Sequence, residues 1–246
     1  MMNRNIAAFI GLFLLLSFNS MAQKKKVLVF CKTAGFHHSS IEVGKAAIMK
    51  LGQENKFDVD TTSSADRFTK EGLKPYAAVV FLNTTGNALD DLQQQAFEQY
   101  FRSGKGFVGV HAATDTEYEW PWYGNLVGAY FVKHPEQQEA TLNVVNRKSI
   151  ATKHLPEQWK RKDEWYNFNW MTKETLYVLI AIDEKSYKPG VGAMGDNHPM
   201  SWYHDFDGGR SFYTELGHTE ASYSDPLYLK HLLGGLQYAL GTKKME

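Results

Sequence analysis

The chain has 246 residues, balances 27 Lys and Arg against 27 Asp and Glu, and carries one cysteine. That balance, with no basic patch interleaved with aromatics, excludes nucleic acid as a partner. A lone cysteine excludes an internal disulfide even in an oxidising compartment. The 6 Trp and 13 Tyr are a composition shared by sugar-facing surfaces and by ordinary aromatic cores.

Residues 1–22 read as a leader. Arg4 gives a positive start, Ile6 to Phe18 is a short apolar run, and Ser20-Met21-Ala22 is a small-x-small cleavage site. The run is too short for a comfortable membrane span, although a retained anchor is the alternative. The expectation is an exported protein, periplasmic or secreted, with no stable membrane span after cleavage. No cysteine stands at the cleavage point, which argues against a lipoprotein. Residues 23–246 then make a single domain.

Lys26 to Cys31 reads as a buried strand. A loop through Phe36, His37 and His38 leads to Ser39-Ser40-Ile41-Glu42, which has the form of a capping box with Ser39 as N-cap. The helix it opens should run to about Leu51 with Ile41, Ala47, Ile48 and Leu51 inward. Phe57 to Asp60 and Ala77 to Leu82 read as strands. Leu89, Leu92, Ala96, Phe97, Tyr100 and Phe101 keep helical spacing, and Gly106 to Val110 is the next strand. This alternation implies an α/β fold with a mostly parallel central sheet and right-handed crossovers. Further on, Trp122 to Val127 reads as a short helix, and Ala140–Val145, Leu176–Ile182, Met200–Tyr203 and Arg210–Thr214 read as strands. Asp207-Gly208-Gly209 is the turn of a hairpin. A final helix starts at Asp225-Pro226.

In open α/β sheets, ligands bind beyond the carboxyl ends of the strands. His37 and His38 follow the first strand there, His111 follows the strand ending at Val110, and His218 follows the strand ending near Leu216. Gly106 to Ala113 has the strand-turn-helix context of a nucleophile elbow, with His111 at the elbow. A histidine cannot do the acyl-transfer work of a thiolate, but it can serve as acid, base or metal ligand. Asp163-Glu164-Trp165-Tyr166 places acidic residues among aromatics, where a carboxyl pKa can rise; a solvated turn after Lys160-Arg161-Lys162 is the competing reading. Asp115 and Glu117 could orient His111 or lie on a surface loop. His134-Pro135 reads as a structural loop closure. There is no His-Glu-x-x-His and no paired-cysteine motif, so a metal would need scattered ligands such as His37, His111, Glu164 and His218, a set that suits a transition metal such as zinc.

Taken together, several stretches resemble the ThuA (trehalose-utilisation) family: Gly35-Phe36-His37-His38-Ser39-Ser40-Ile41, Gly109-Val110-His111-Ala112-Ala113, and Gly128-Ala129-Tyr130-Phe131 with His134-Pro135. Asp163-Glu164-Trp165-Tyr166, His198-Pro199 with Trp202, Gly209 to Thr214 and Leu216-Gly217-His218 continue it. The resemblance implies a flavodoxin-like three-layer sandwich of the class I glutamine amidotransferase-like type, without the catalytic cysteine of an amidotransferase. Cys31, at the end of the first strand, is misplaced to substitute for it. The resemblance also implies a link to trehalose and related disaccharides, often beside oxidoreductases that make 3-keto sugars.

Two readings follow. In one, the protein is an enzyme, an isomerase, lyase or hydrolase, acting on a small-molecule carbohydrate such as a disaccharide or keto-sugar. His111 is then the acid/base, Glu164 its counterpart and His218 a third polar group or metal ligand, while His37, His38, Asp115, Trp202 and Arg210 bind the substrate. In the other, it is a non-catalytic carbohydrate-binding or accessory protein. Arg210 could equally be a surface charge beside its turn.

Overall fold

A computed structural model describes residues 24–172 and 175–246; the leader read at residues 1–22 lies outside them. In chain order the elements are β1 (Lys26–Phe30), α1 (Ile41–Asn55), β2 (Asp58–Thr62), α2 (Lys70–Leu73), β3 (Ala78–Leu82), α3 (Asp91–Arg102), β4 (Gly106–Val110), α4 (Pro121–Val127), β5 (Ala129–Lys133), β6 (Gln138–Val144), β7 (Gln158–Asp163), β8 (Asn167–Trp170), β9 (Tyr177–Asp183), β10 (Pro199–Phe206), β11 (Gly209–Thr214) and α5 (Pro226–Ala239). Nine strands form one sheet in the order β2-β1-β3-β4-β11-β10-β9-β6-β7, while β5 and β8 pair separately. The pairs from β2 to β11 are parallel. Those from β11 to β7 are antiparallel. The alternation leaves only β10 and β6 running against the rest, so the sheet is mixed but mostly parallel. No helix among the described residues is long and apolar enough to cross a membrane.

The central strands are apolar throughout because both sheet faces are covered. On one face Phe81 of β3 packs against Phe97 of α3 and Tyr123 of α4, each with centroids 5.4 Å apart. On the other, Phe212 of β11 meets α5 at Gly235, where a Cβ would come within 2.3 Å of the Phe212 ring, so only glycine lets helix and sheet approach that closely. The layers are helix, sheet and helix, as expected.

The β10–β11 hairpin turns through Asp207 and Gly208, with Phe206 paired to Gly209. Both turn residues have positive φ (42° and 88°), as a type I′ turn requires. Two local expectations fail. Ser39 does not cap α1: the helix begins at Ile41, and Ser40 makes no side-chain cap. Instead Ser40 Oγ donates to the Gly217 carbonyl at 3.3 Å and accepts from Asn83 Nδ2 at 2.9 Å, tying the start of α1 to the loop after β11. Leu92 is exposed, because α3 turns that position to solvent.

The charged run Lys160-Arg161-Lys162 is part of β7, and Asp163 to Tyr166 after it are buried, so that stretch is not a solvated turn. Strand alternation sends Trp159, Arg161 and Asp163 inward. Arg161 donates to Asp163 Oδ2 at 3.0 Å and to Ser222 Oγ at 2.6 Å, and its guanidinium lies 4.7 Å from the Trp159 ring centroid. Asp163 Oδ2 also accepts from Gly217 N at 3.3 Å. Three strands separate β7 from β11, about 19 Å in a flat sheet at ~4.8 Å per step, so the antiparallel half curls back until the carboxyl ends of β7 and β11 meet.

Candidate functional site

The carboxyl ends of β1, β4, β11 and β7 deliver His38, His111, His218 and Glu164 to one place. One ligand atom from each lies within 4.8 Å of all the others. His111 Nε2 is 3.1 Å from His218 Nδ1 and 3.5 Å from Glu164 Oε2, and His218 Nδ1 is 3.2 Å from Glu164 Oε2. The three imidazoles stand edge to face, with ring centroids 5.0 Å apart for His38–His111 and His111–His218 and 5.1 Å for His38–His218.

His111 sits where β4 breaks into a short 3-10 helix, His111–Thr114, and takes φ 48°. A non-glycine residue in the left-handed region is strained, and such strain concentrates at functional turns. The turn is held by Tyr213, whose hydroxyl donates to the His111 carbonyl at 2.8 Å. Behind the ring, His111 Nδ1 donates to the Glu215 carbonyl at 2.7 Å. This leaves Nε2 facing the cluster.

The electrostatics follow from burial and pairing. Burial opposes a charged His111, but Glu164 and Glu215 outweigh it and push its pKa up to about 10. Burial would likewise raise the Glu164 carboxyl; contacts with His111 and His218 instead hold it well below the usual carboxylate range. The raised pKa expected for a carboxyl among aromatics is therefore reversed, because His111 and His218 pair with it. Glu215 is fully buried and pushed up to about 7, with His111 acting against the rise. Burial, with His111 and His218 nearby, lowers His38 to about 3.

His37 and His38 are adjacent and diverge. His38 turns into the cluster and is buried, whereas His37 is exposed, its Nδ1 3.2 Å from Thr33 Oγ1. The fourth member beside His111, Glu164 and His218 is therefore His38, not His37. Asp115 lies at the rim, within electrostatic reach of His111 and His134, and accepts from the Tyr118 hydroxyl at 2.7 Å. Glu117 turns away: its Oε1 accepts from Ala88 N and Leu89 N, both at 2.7 Å, so it shapes the loop before α3 rather than orienting His111.

Two expected substrate contacts are elsewhere. Trp202 is fully buried in the middle of β10, lies tilted against Tyr213 with centroids 4.4 Å apart and donates to the Val127 carbonyl at 2.9 Å. Arg210 pairs in register with Gly106 at the amino end of β11, roughly 13 Å of strand from Thr214 at ~3.3 Å per residue. It donates to the carbonyls of Tyr238, Ala239 and Gly104, at 3.1, 3.1 and 3.0 Å, binding the end of α5 to the opposite edge of the sheet. Both are structural.

Three participants were not singled out from sequence. His134 is not merely a loop closure: its Nδ1 lies 3.3 Å from Glu164 Oε1 and 2.8 Å from the Pro135 carbonyl, and its ring stacks on Phe131 and Tyr166. Glu215 backs His111. Gln137 places its carboxamide 2.7 Å from His218 Nε2; turned with its oxygen inward, that amide accepts the Nε2–H and leaves Nδ1 toward the cluster.

The family model for ThuA, trehalose utilisation, matches residues 26–239. The chain belongs to the ThuA family. Among solved structures, this ThuA protein is similar to a ThuA-like protein from Bacteroides uniformis ATCC 8492, at 25% identity and a TM-score of 0.76, covering 91% of this chain and 95% of that one. A ThuA-like protein from Parabacteroides merdae ATCC 43184 matches at 21% identity and a TM-score of 0.74, covering 91% and 92%. The cytoplasmic protein STM1381 from Salmonella typhimurium LT2 shares the fold at 13% identity and a TM-score of 0.59, covering 88% and 98%. No curated protein matches. Family membership suggests a role in carbohydrate utilisation.

Proposed function

We propose that this ThuA protein processes a disaccharide or keto-sugar by histidine–carboxylate acid–base chemistry, without a cysteine nucleophile. The observation that carries the reading is the His134–Glu164 pair at the mouth of the histidine cluster. His111, fully buried and bonded on both nitrogens, orients and holds charge and does not itself meet the sugar. His134 is better placed: its side chain is 40% exposed, and Glu164 and Pro135 hold Nδ1–H. Nε2 then carries the free lone pair on a part-exposed ring within electrostatic reach of Asp115.

For a keto-sugar, the reaction needs a proton taken from the carbon next to the carbonyl. His134 Nε2 takes it, and the electron pair moves onto the carbonyl oxygen. The hydroxyl proton of the deprotonated carbon passes to that oxygen, and the abstracted proton returns from His134 to the former carbonyl carbon, giving an isomeric keto-sugar. Alternatively, the pair moves on, the glycosidic bond breaks, and the departing oxygen takes up the proton, giving elimination. Export to the periplasm or outside the cell, read from the leader, is part of the same proposal.

The test is incubation with disaccharides and their 3-keto derivatives, with products identified by mass and NMR. Consumption of a keto-sugar by the wild type, lost in His134→Ala, is expected. A sugar that binds but stays intact through long incubation would make the protein a non-catalytic binder.

A further inference from the structure

We infer that His38, His111, Glu164 and His218 form a binding site for one divalent transition-metal ion. The assignment shares residues with the proposed sugar chemistry but stands on its own geometry. A metal held by imidazole nitrogen at about 2.05 Å in a tetrahedral arrangement sets its donor atoms about 3.3 Å apart. The three separations among His111 Nε2, His218 Nδ1 and Glu164 Oε2 are 3.1, 3.2 and 3.5 Å. Ring centroids add a second measure. Each lies about 3.2 Å from a metal bound at its nitrogen, so two imidazoles at a tetrahedral angle stand about 5.2 Å apart; the three pairs here stand at 5.0 to 5.1 Å.

An independent observation comes from His38. It is 3% exposed, and its Nδ1 is buried without a hydrogen-bond partner. A buried imidazole nitrogen left unpaired is costly and calls for a partner. The ligands also have the outer support that metal-binding histidines normally have. His111 is fixed through Nδ1 by the Glu215 carbonyl, His218 faces the Gln137 amide through Nε2, and the second oxygen of Glu164 faces His134. Three imidazoles and one carboxylate suit zinc, manganese, iron or nickel; magnesium and calcium prefer all-oxygen sites. One face stays reachable through His218, whose side chain is 15% exposed.

The experiment measures metal content of untagged protein by mass spectrometry, then strips it with a chelator and titrates back Zn²⁺, Mn²⁺ and Mg²⁺ by calorimetry. One equivalent of a transition metal and no binding of Mg²⁺ are expected. His38→Ala and His218→Ala should each weaken binding by more than the roughly 10–100-fold that loss of an outer partner costs, whereas His37→Ala should bind as the wild type does. Co²⁺ loaded into the wild type should give visible d–d absorption, a readout that needs no variant to fold. Absence of stoichiometric binding, or His38→Ala binding like the wild type, would overturn the assignment. Sugar turnover that survives complete metal removal would overturn it as a catalytic metal while leaving the acid–base reading intact; a bound metal without turnover of any sugar would do the reverse.

Discussion

Glu215 stands directly behind His111: its main-chain carbonyl takes the Nδ1 proton at 2.7 Å, and its carboxylate Oε1 lies 3.7 Å from the same nitrogen. The same Oε1 accepts from Tyr166 N at 3.1 Å, so one buried carboxyl joins the carboxyl end of β11 to the loop after β7. Replacing it by alanine removes the countercharge and an acceptor together. Glu215→Ala should lower stability by about 3 kcal/mol or more, and Glu215→Gln, which keeps an acceptor for Tyr166, by clearly less. Urea denaturation of the two variants checks this.

Arg161 is the ion-pair partner of Asp163, with 3.0 Å between its guanidinium and Asp163 Oδ2. Asp163 is fully buried and also holds Gly217 N, one residue before His218. Arg161→Met should leave that carboxylate uncompensated and cost about 3–5 kcal/mol. The double variant Arg161→Met with Asp163→Asn should recover part of the loss, as a double-mutant cycle in denaturant will show.

Gly217 has φ 115°, and a Cβ there would lie 2.5 Å from the Tyr228 hydroxyl. Gly217→Ala is strained on both counts and should destabilise by about 2 kcal/mol. Because it displaces His218, it should also lower metal content. A variant with unchanged denaturation midpoint and unchanged metal content would contradict the placement.

His231 supplies a pH dependence away from the cluster. It is fully buried, with Nδ1 on the Ala151 carbonyl at 2.9 Å and Nε2 near Thr214 and Ser201 hydroxyls. Burial lowers its pKa to about 3, despite the Ala151 bond acting the other way. The unfolded chain takes up this proton near pH 6.5 and the folded one only near pH 3. Its contribution is therefore complete above pH 6.5 and declines as pH falls from there, by about 1.4 kcal/mol per unit. Between pH 6.5 and 5 the wild type should lose about 2 kcal/mol more than His231→Gln, measured from denaturation midpoints at each pH.

The layered sheet and the elbow at His111 were legible because alternation, apolar runs and the carboxyl-end rule all describe backbone geometry. The hairpin turn read at Asp207-Gly208-Gly209 was legible for the same reason. Orientation was not. His37 and His38 are neighbours, and nothing in their spacing says which turns inward. Arg210 could have been set aside from sequence: it begins its strand, and ligands gather at the other end. Trp202 lies mid-strand, where an aromatic is core. β7 was hidden because Lys160 and Lys162 flank Arg161, an inward charge whose partners include the distant residues Ser222 and Asp225. His134 enters from the separate β5–β8 pair, and only tertiary packing brings it to Glu164.

The most direct test of the account is deuterium exchange into a 3-keto disaccharide followed by NMR in heavy water. The wild type should place solvent deuterium on the carbon next to the carbonyl, His134→Ala should not, and Arg210→Ala should behave as the wild type does. A keto-sugar shown to bind at the cluster, yet retaining its original hydrogen throughout, would contradict proton transfer at His134 and Glu164.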